Sequence, residues 1–268
     1  MSMVVTVETH KGSAIPEIGR ENVMVYQGRI RARVTDWVPI QGGHASPELI
    51  VLIDDSPNVS QGTQPEDIAS FIMAQPETTK IGVAYMQMGS PQLAQAPTTD
   101  HALAAKAVHP TLSSLEASVS PYFSLSELMK RWPSSNGGRE VLMISDGIDG
   151  SWDGPPENDV YVDATIEEAQ RAGVVVFTVG RKAGSWQYSL SKTADETGGR
   201  AYWQESGTPL SVAPYLKDVA QCLRRQYLLT FLAQPKKTAG MQAVKLMTEV
   251  PNAKLVGADK VYVSAAAQ

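Results

Sequence analysis

The chain of 268 residues has a single cysteine, Cys222, which excludes an internal disulfide and any cysteine-based zinc site. Its setting, Val219-Ala220-Gln221-Cys222-Leu223, reads as a buried thiol on a helix face. Basic residues are in deficit: 23 Lys and Arg stand against 28 Asp and Glu, a formal net charge of -5. No positive field is available for nucleic acid or an anionic membrane surface. No apolar run approaches the roughly 20 residues that cross a bilayer, so no membrane insertion is expected. Met1-Ser2-Met3 leads directly into Val4-Val5-Thr6-Val7, without the charged start and apolar middle of a signal peptide. The chain is then either cytosolic or preceded by a targeting segment. The four histidines, His10, His44, His101 and His109, lack metal-binding spacing and read as surface residues. Also missing are a Gly-x-Ser-x-Gly elbow, a phosphate-cradling Gly-x₄-Gly-Lys loop, a His-Glu-x-x-His helix and a Gly-x-Gly-x-x-Gly fingerprint. There is no fixed-period repeat and no low-complexity tract.

What the sequence does have is apolar runs that end in acids. With 43% hydrophobic and 19% charged residues it can bury one large core, alone or with a small satellite. Leu49-Ile50-Val51-Leu52-Ile53 runs into Asp54-Asp55-Ser56-Pro57-Asn58, and Val141-Leu142-Met143-Ile144 runs into Ser145-Asp146-Gly147. Continuous Val/Ile/Leu runs are strands buried on both faces, as in a parallel sheet between helices. Ligands of such sheets bind beyond the carboxyl ends of the strands. Asp54, Ser56, Asn58 and Asp146 are therefore candidate hard oxygen donors, suited to Mg²⁺, Mn²⁺ or Ca²⁺. Asp55 reads as a solvated or turn-capping acid, and Asp149, Trp152 and Asp153 either line the same rim or form a solvated loop.

Along the chain, residues 3 to 40 are β-rich, and Gly42 to Pro47 has linker composition. Strand and helix then alternate: a helix opening at Gln64-Pro65-Glu66-Asp67, a strand over Lys80 to Met88, helical stretches at Thr111 to Ala117 and Pro121 to Trp132, and the Val141 strand. After it come a helix over Ala164 to Ala172, the Val174 to Val179 strand, a helix over Ser189 to Glu196, a short strand at Arg200 to Trp203, a helix over Pro209 to Arg225 and a sixth strand at Tyr227 to Leu232. The pattern predicts an α/β fold: a doubly wound, mostly parallel six-stranded sheet flanked by helices. Strand-like Gln242 to Val250 and Lys260 to Val263 are expected to join the N-terminal strands in a small β unit. The division expected is 1–46 as N-terminal β segment, 47–234 as the α/β domain and 235–268 as C-terminal β segment.

Several blocks in this order resemble a von Willebrand factor A domain, more narrowly the A-related domain of secreted acidobacterial proteins. They are Glu21-Asn22-Val23-Met24-Val25-Tyr26, Ser145-Asp146-Gly147, Glu168-Ala169 to Val179-Gly180, Ala194-Asp195-Glu196-Thr197-Gly198-Gly199-Arg200-Ala201-Tyr202 and Leu223-Arg224-Arg225-Gln226-Tyr227-Leu228-Leu229. The resemblance implies a metal-ion-dependent adhesion site: Asp-x-Ser-x-Ser after the first strand, a Thr before a central helix, and an Asp in a Thr/Ser-Asp-Gly turn. Asp54, Ser56 and Asn58 occupy the first motif, with an amide where the family has a hydroxyl, and Asp146 the last. Ser120 before Pro121 matches the Thr position, with Ser118 as a rival. The resemblance further implies export. An open position on the ion would let an acidic side chain of a protein partner complete the metal shell, and a metal without a positioned general base is a binding device, so no catalysis is expected.

Two other readings remain. The amide at Asn58 leaves open a metal-free structural or assembly module, and a hard metal that activates water would make a hydrolase. A phosphoryl-receiver domain is disfavoured, because the Lys80 to Met88 strand ends in Met-Gly-Ser where that site needs an acid.

Overall fold

The computed structural model describes residues 1–9, 16–40, 46–56, 65–110, 120–132, 137–181, 184–204, 211–234 and 237–265. Its central layer is a six-stranded sheet, built from β4 (Glu48–Asp54), β5 (Lys80–Gln87), β6 (Ser90–Thr98), β7 (Arg139–Ile144), β8 (Val174–Arg181) and β9 (Ala201–Gln204) in the order β6-β5-β4-β7-β8-β9. All neighbours are parallel except β5 and β6. The chain leaves β4 for β5 on one side and later returns to β7 on the other. That reversal opens a crevice between the carboxyl ends of β4 and β7.

Side-chain alternation along β4 explains why its apolar run is unbroken. Leu49, Val51 and Ile53 meet Ile68, Phe71 and Ile72 of α1 (Pro65–Met73), Ala104 of α2 (His101–Lys106), and Leu216 and Val219 of α6 (Ala213–Leu223). Ile50 and Leu52 face the other way. They meet Tyr122, Leu125 and Leu128 of α3 (Pro121–Arg131), Val162 and Ile166 of α4 (Val160–Ala172), and Leu190 of α5 (Gln187–Thr197). Each such fully buried aliphatic side chain contributes about 1.5–3 kcal/mol.

The second layer is antiparallel. β1 (Ser2–Thr9), β2 (Val23–Gln27), β3 (Ile30–Pro39), β10 (Gln226–Leu232), β11 (Gly240–Thr248), β12 (Ala253–Gly257) and β13 (Lys260–Val263) run in the order β12-β1-β10-β3-β2-β11-β13. All seven strands feed one apolar cluster, including Leu255 from one end strand and Val261 and Val263 from the other. A flat sheet would hold those end strands about 28 Å apart at the usual strand spacing, so this one curls around its own core. Val5 points into that cluster while Val4, with Ile40, packs into the core of the parallel sheet. This contact lies at the start of β7, where a Cβ on Gly138 would touch both Val4 and Ile40. The antiparallel layer therefore meets the amino edge of the parallel sheet.

Two expectations need correction. The sixth strand of the parallel layer is Ser90–Thr98, whereas 226–232 pairs with β1 and β3 in the antiparallel layer. His101 is buried at 8% exposure, with Nε2 2.8 Å from the Thr79 carbonyl oxygen, and is no surface residue. The expected helix at Thr111 to Ala117, together with His10 and His44, lies outside the described residues.

Candidate metal centre

Strand register builds the centre of the site. Ile53 of β4 pairs with Ile144 of β7, so the residues that follow, Asp54 and Ser145, emerge side by side. The Ser145 hydroxyl donates to Asp54 Oδ2 at 2.8 Å, and the Ser56 amide donates to Asp54 Oδ1 at 3.0 Å. Ser145 Oγ in turn accepts from the Gly147 amide at 3.1 Å, and Asp146 Oδ1 accepts from the Ile148 amide at 3.0 Å. The turn needs glycine at 147: its φ is +76°, and a Cβ there would lie 2.6 Å from Leu190 Cγ.

Asp54 and Asp146 are buried at 5% and 6% exposure. Burial first, and then the charge on Asp146, push the Asp54 carboxyl up to about 6 against the hydrogen bonds from Ser145 and Ser56, which favour its charged form. Asp146 is also raised by burial, against the Ile148 amide and the charge of Arg181. A buried acid whose ionisation is opposed by a neighbouring buried acid is an electrostatic demand for a cation. The Ser56 hydroxyl lies near enough to favour the charged form of Asp54, yet among the described residues nothing stands in hydrogen-bonding geometry to it. A buried hydroxyl with no hydrogen-bond partner beside two carboxylates fits a hard divalent ion. The donors are all oxygen, which suits Mg²⁺, Mn²⁺ or Ca²⁺.

Ser120 approaches from the N-terminus of α3. Wholly buried, it caps that helix by accepting from the Phe123 amide at 3.4 Å, and it donates to Asp149 Oδ2. Tyr122, in the first turn of the helix, donates to the Gly147 carbonyl at 3.3 Å, so α3 is tied to the turn that carries Asp146. Asn58 and Ser118 lie outside the described residues. Among the described residues no group of three or more His, Cys, Asp or Glu side chains is gathered for a metal. Among the described residues, the oxygens offered to an ion are those of two carboxylates and of hydroxyls.

The rim differs from expectation. Asp55 is 2% exposed and accepts from Gln87 Nε2 at 3.0 Å, and Asp149 is 1% exposed, so neither presents a carboxylate to a partner. Both are buried because neighbouring donors compensate their charge: Gln87 for Asp55, and Ser120 with the Ser151 amide, at 2.7 Å, for Asp149. Trp152 is half-buried, with Nε1 donating to the Pro155 carbonyl at 3.0 Å, and Asp153 is exposed. Sequence reasoning missed Ser145 and Asp159. Asp159 caps α4 through Oδ1, accepting from the Tyr161 and Val162 amides, and burial together with neighbouring Asp149 raises its carboxyl. Equal offsets from two paired strand ends would have revealed Ser145. An Asp directly before Val160 is a local helix-start signal that could have revealed Asp159.

No protein-family model matches the chain, and no curated protein matches it in sequence. Solved structures do match it. A von Willebrand factor type A structure from Catenulispora acidiphila aligns with TM-score 0.52 and 12% identity, over 90% of this chain and 76% of that one. Proximal thread matrix protein 1 of the mussel byssus, described with a zinc-occupied MIDAS motif, aligns with TM-score 0.51 and 15% identity, over 71% of this chain and 48% of that one. Human COPII-coat protein Sec24c aligns with TM-score 0.52 and 9% identity, over 86% and 44%. The fold is that of a von Willebrand factor A domain.

Proposed function

We propose that this protein is a noncatalytic interaction module, docking a protein partner at the carboxyl edge of its parallel sheet through a divalent cation. Asp54, Ser56, Ser120 and Asp146 would hold the ion, with Asn58 added from the sequence pattern. One observation carries this reading: Asp54, with the charge of Asp146 acting on it, is a buried carboxylate beside the buried Ser56 hydroxyl, which among the described residues has no hydrogen-bond partner. The zinc-occupied MIDAS of the mussel protein supports it as a precedent on a similar fold. When bound, the ion supplies an open coordination position for an acidic side chain of the partner. The chain's own groups do the rest. Ser145 and the Ser56 amide fix the Asp54 carboxylate, the Ile148 amide fixes Asp146, and exposed Asp153 beside Trp152 offers contact area next to the ion. Docking outside the cytoplasm is part of this reading, and the resemblance to secreted proteins supports it.

Calorimetric titration of chelator-treated protein with Mg²⁺, Mn²⁺ and Ca²⁺ tests the reading. One ion per chain is expected, with binding lost in Asp54→Ala and Asp146→Ala. A second reading, a metal-free structural module, is favoured by one fact: Asp54 already has a hydrogen bond on each oxygen. Silence with all three ions selects it. Turnover of an ester or phosphate substrate, abolished by the same substitutions, would make the protein a hydrolase instead.

A further inference from the structure

Resting on that metal reading, we infer that Asp149 is the positioning residue of the centre, acting through Ser120 and never touching the ion. The argument is an accounting of one oxygen. A serine hydroxyl has one proton to donate and two lone pairs to offer. The proton of Ser120 goes to Asp149 Oδ2, and one lone pair takes the Phe123 amide at the N-terminus of α3. Among the described residues nothing takes the other lone pair. With both side chains buried, the Ser120 rotor is fixed and that pair is available to a cation. A carboxylate that accepts the hydroxyl proton also makes the oxygen a better donor to metal, as the outer partners of metal ligands commonly do.

Asp149 is itself held for this task. Its other oxygen accepts from the Ser151 amide at 2.7 Å. It follows Asp146 by three residues, in the same turn to which Tyr122 ties α3. The turn that supplies one ligand thus also orients another, supplied by a different element.

Asp149→Asn reverses the bond. Its amide can donate to Ser120, occupy the remaining lone pair and turn the hydroxyl proton toward the ion. Mn²⁺ affinity, measured by calorimetry on the full chain, is expected to fall about 10- to 100-fold in Asp149→Asn. In a Ser120→Ala background the same change should cost less than about twofold, since its intermediary is gone. A purely structural role for Asp149, through the Ser151 amide, would cost the same in both backgrounds, and that result overturns the inference. So does an unchanged affinity in Asp149→Asn. Metal-free thermal melts of each variant show whether it folds. Asp149→Glu, which keeps an acceptor, should recover part of the affinity if Asn disturbs the loop, and a further loss there also counts against the inference. Failure of the wild type to bind Mn²⁺ at all overturns the metal reading and this inference together, whereas binding without coupling removes the inference alone.

Discussion

Asp54 is maintained at a cost. Its folded carboxyl titrates near 6 rather than 3.8, because burial and Asp146 oppose its charge. Between those values the folded chain holds a proton that the unfolded chain has released, so stability falls as pH rises from about 4 to about 6 and then levels. The full loss is at most about 3 kcal/mol. Metal-free Asp54→Asn should lack this loss and be more stable than wild type at pH 7, as urea unfolding at pH 4 and pH 7 will show. Saturating Mg²⁺ should restore the wild type and leave the variant unmoved. Comparing the two proteins isolates Asp54 from other raised acids, such as Glu140, which burial and Glu48 push up to about 8. If the variant is no more stable than wild type at pH 7, the acid pair is not strained. At this scale the sequence exposed Asp54 and Asp146, since each follows an apolar run. It hid Ser120's dependence on Asp149, because a hydrogen bond across 29 positions leaves no local trace.

Elements whose own apolar pattern requires burial, on one face of a helix or both faces of a strand, were legible, whereas those set by neighbours were not. The helix from Pro121 and the strands ending at Asp54 and Ile144 stand where apolar periodicity placed them. β6 was missed because Ser90-Pro91-Gln92-Leu93-Ala94-Gln95-Ala96-Pro97-Thr98 carries little strand propensity and lies at the sheet edge. It becomes a strand because a tight turn returns it against β5: Met88 and Gly89 take φ of +50° and +73°, as a type I′ hairpin requires. Met88 is 74% exposed and gains nothing there to offset a left-handed backbone. Met88→Asn should therefore raise the melting temperature, and Gly89→Ala should lower stability by about 1 kcal/mol. A melting temperature unchanged by both would show that the turn is not rate- or stability-limiting for this edge.

Across the whole molecule the two layers are joined by more than a linker. Val4 and Ile40 enter the parallel layer's core, and Gln170 Nε2 donates to Asp259 at 2.6 Å. Arg171 lies 4.5 Å from the Tyr262 ring centroid, and Gly198, at the end of α5, has no room for a Cβ beside Gly257 of β12. Calorimetric unfolding should accordingly show a single transition, and two resolved transitions would mean that the layers are stable apart. The strand at 226–232 is the clearest case of what tertiary structure decided. Read after a helix, it continues the alternation of the parallel layer; its apolar pattern is equally served by β1 and β3, and they take it. The sequence by itself determined the buried parallel strands, their flanking helices and the acids at the strand ends, because hydrophobic periodicity is a local property. Only the tertiary structure decided which layer each outer strand joined, that Asp55 and Asp149 lie inside, and that Asp54, Ser56 and Asp146 form one electrostatic unit. Pairing, burial and charge coupling depend on residues far apart in sequence.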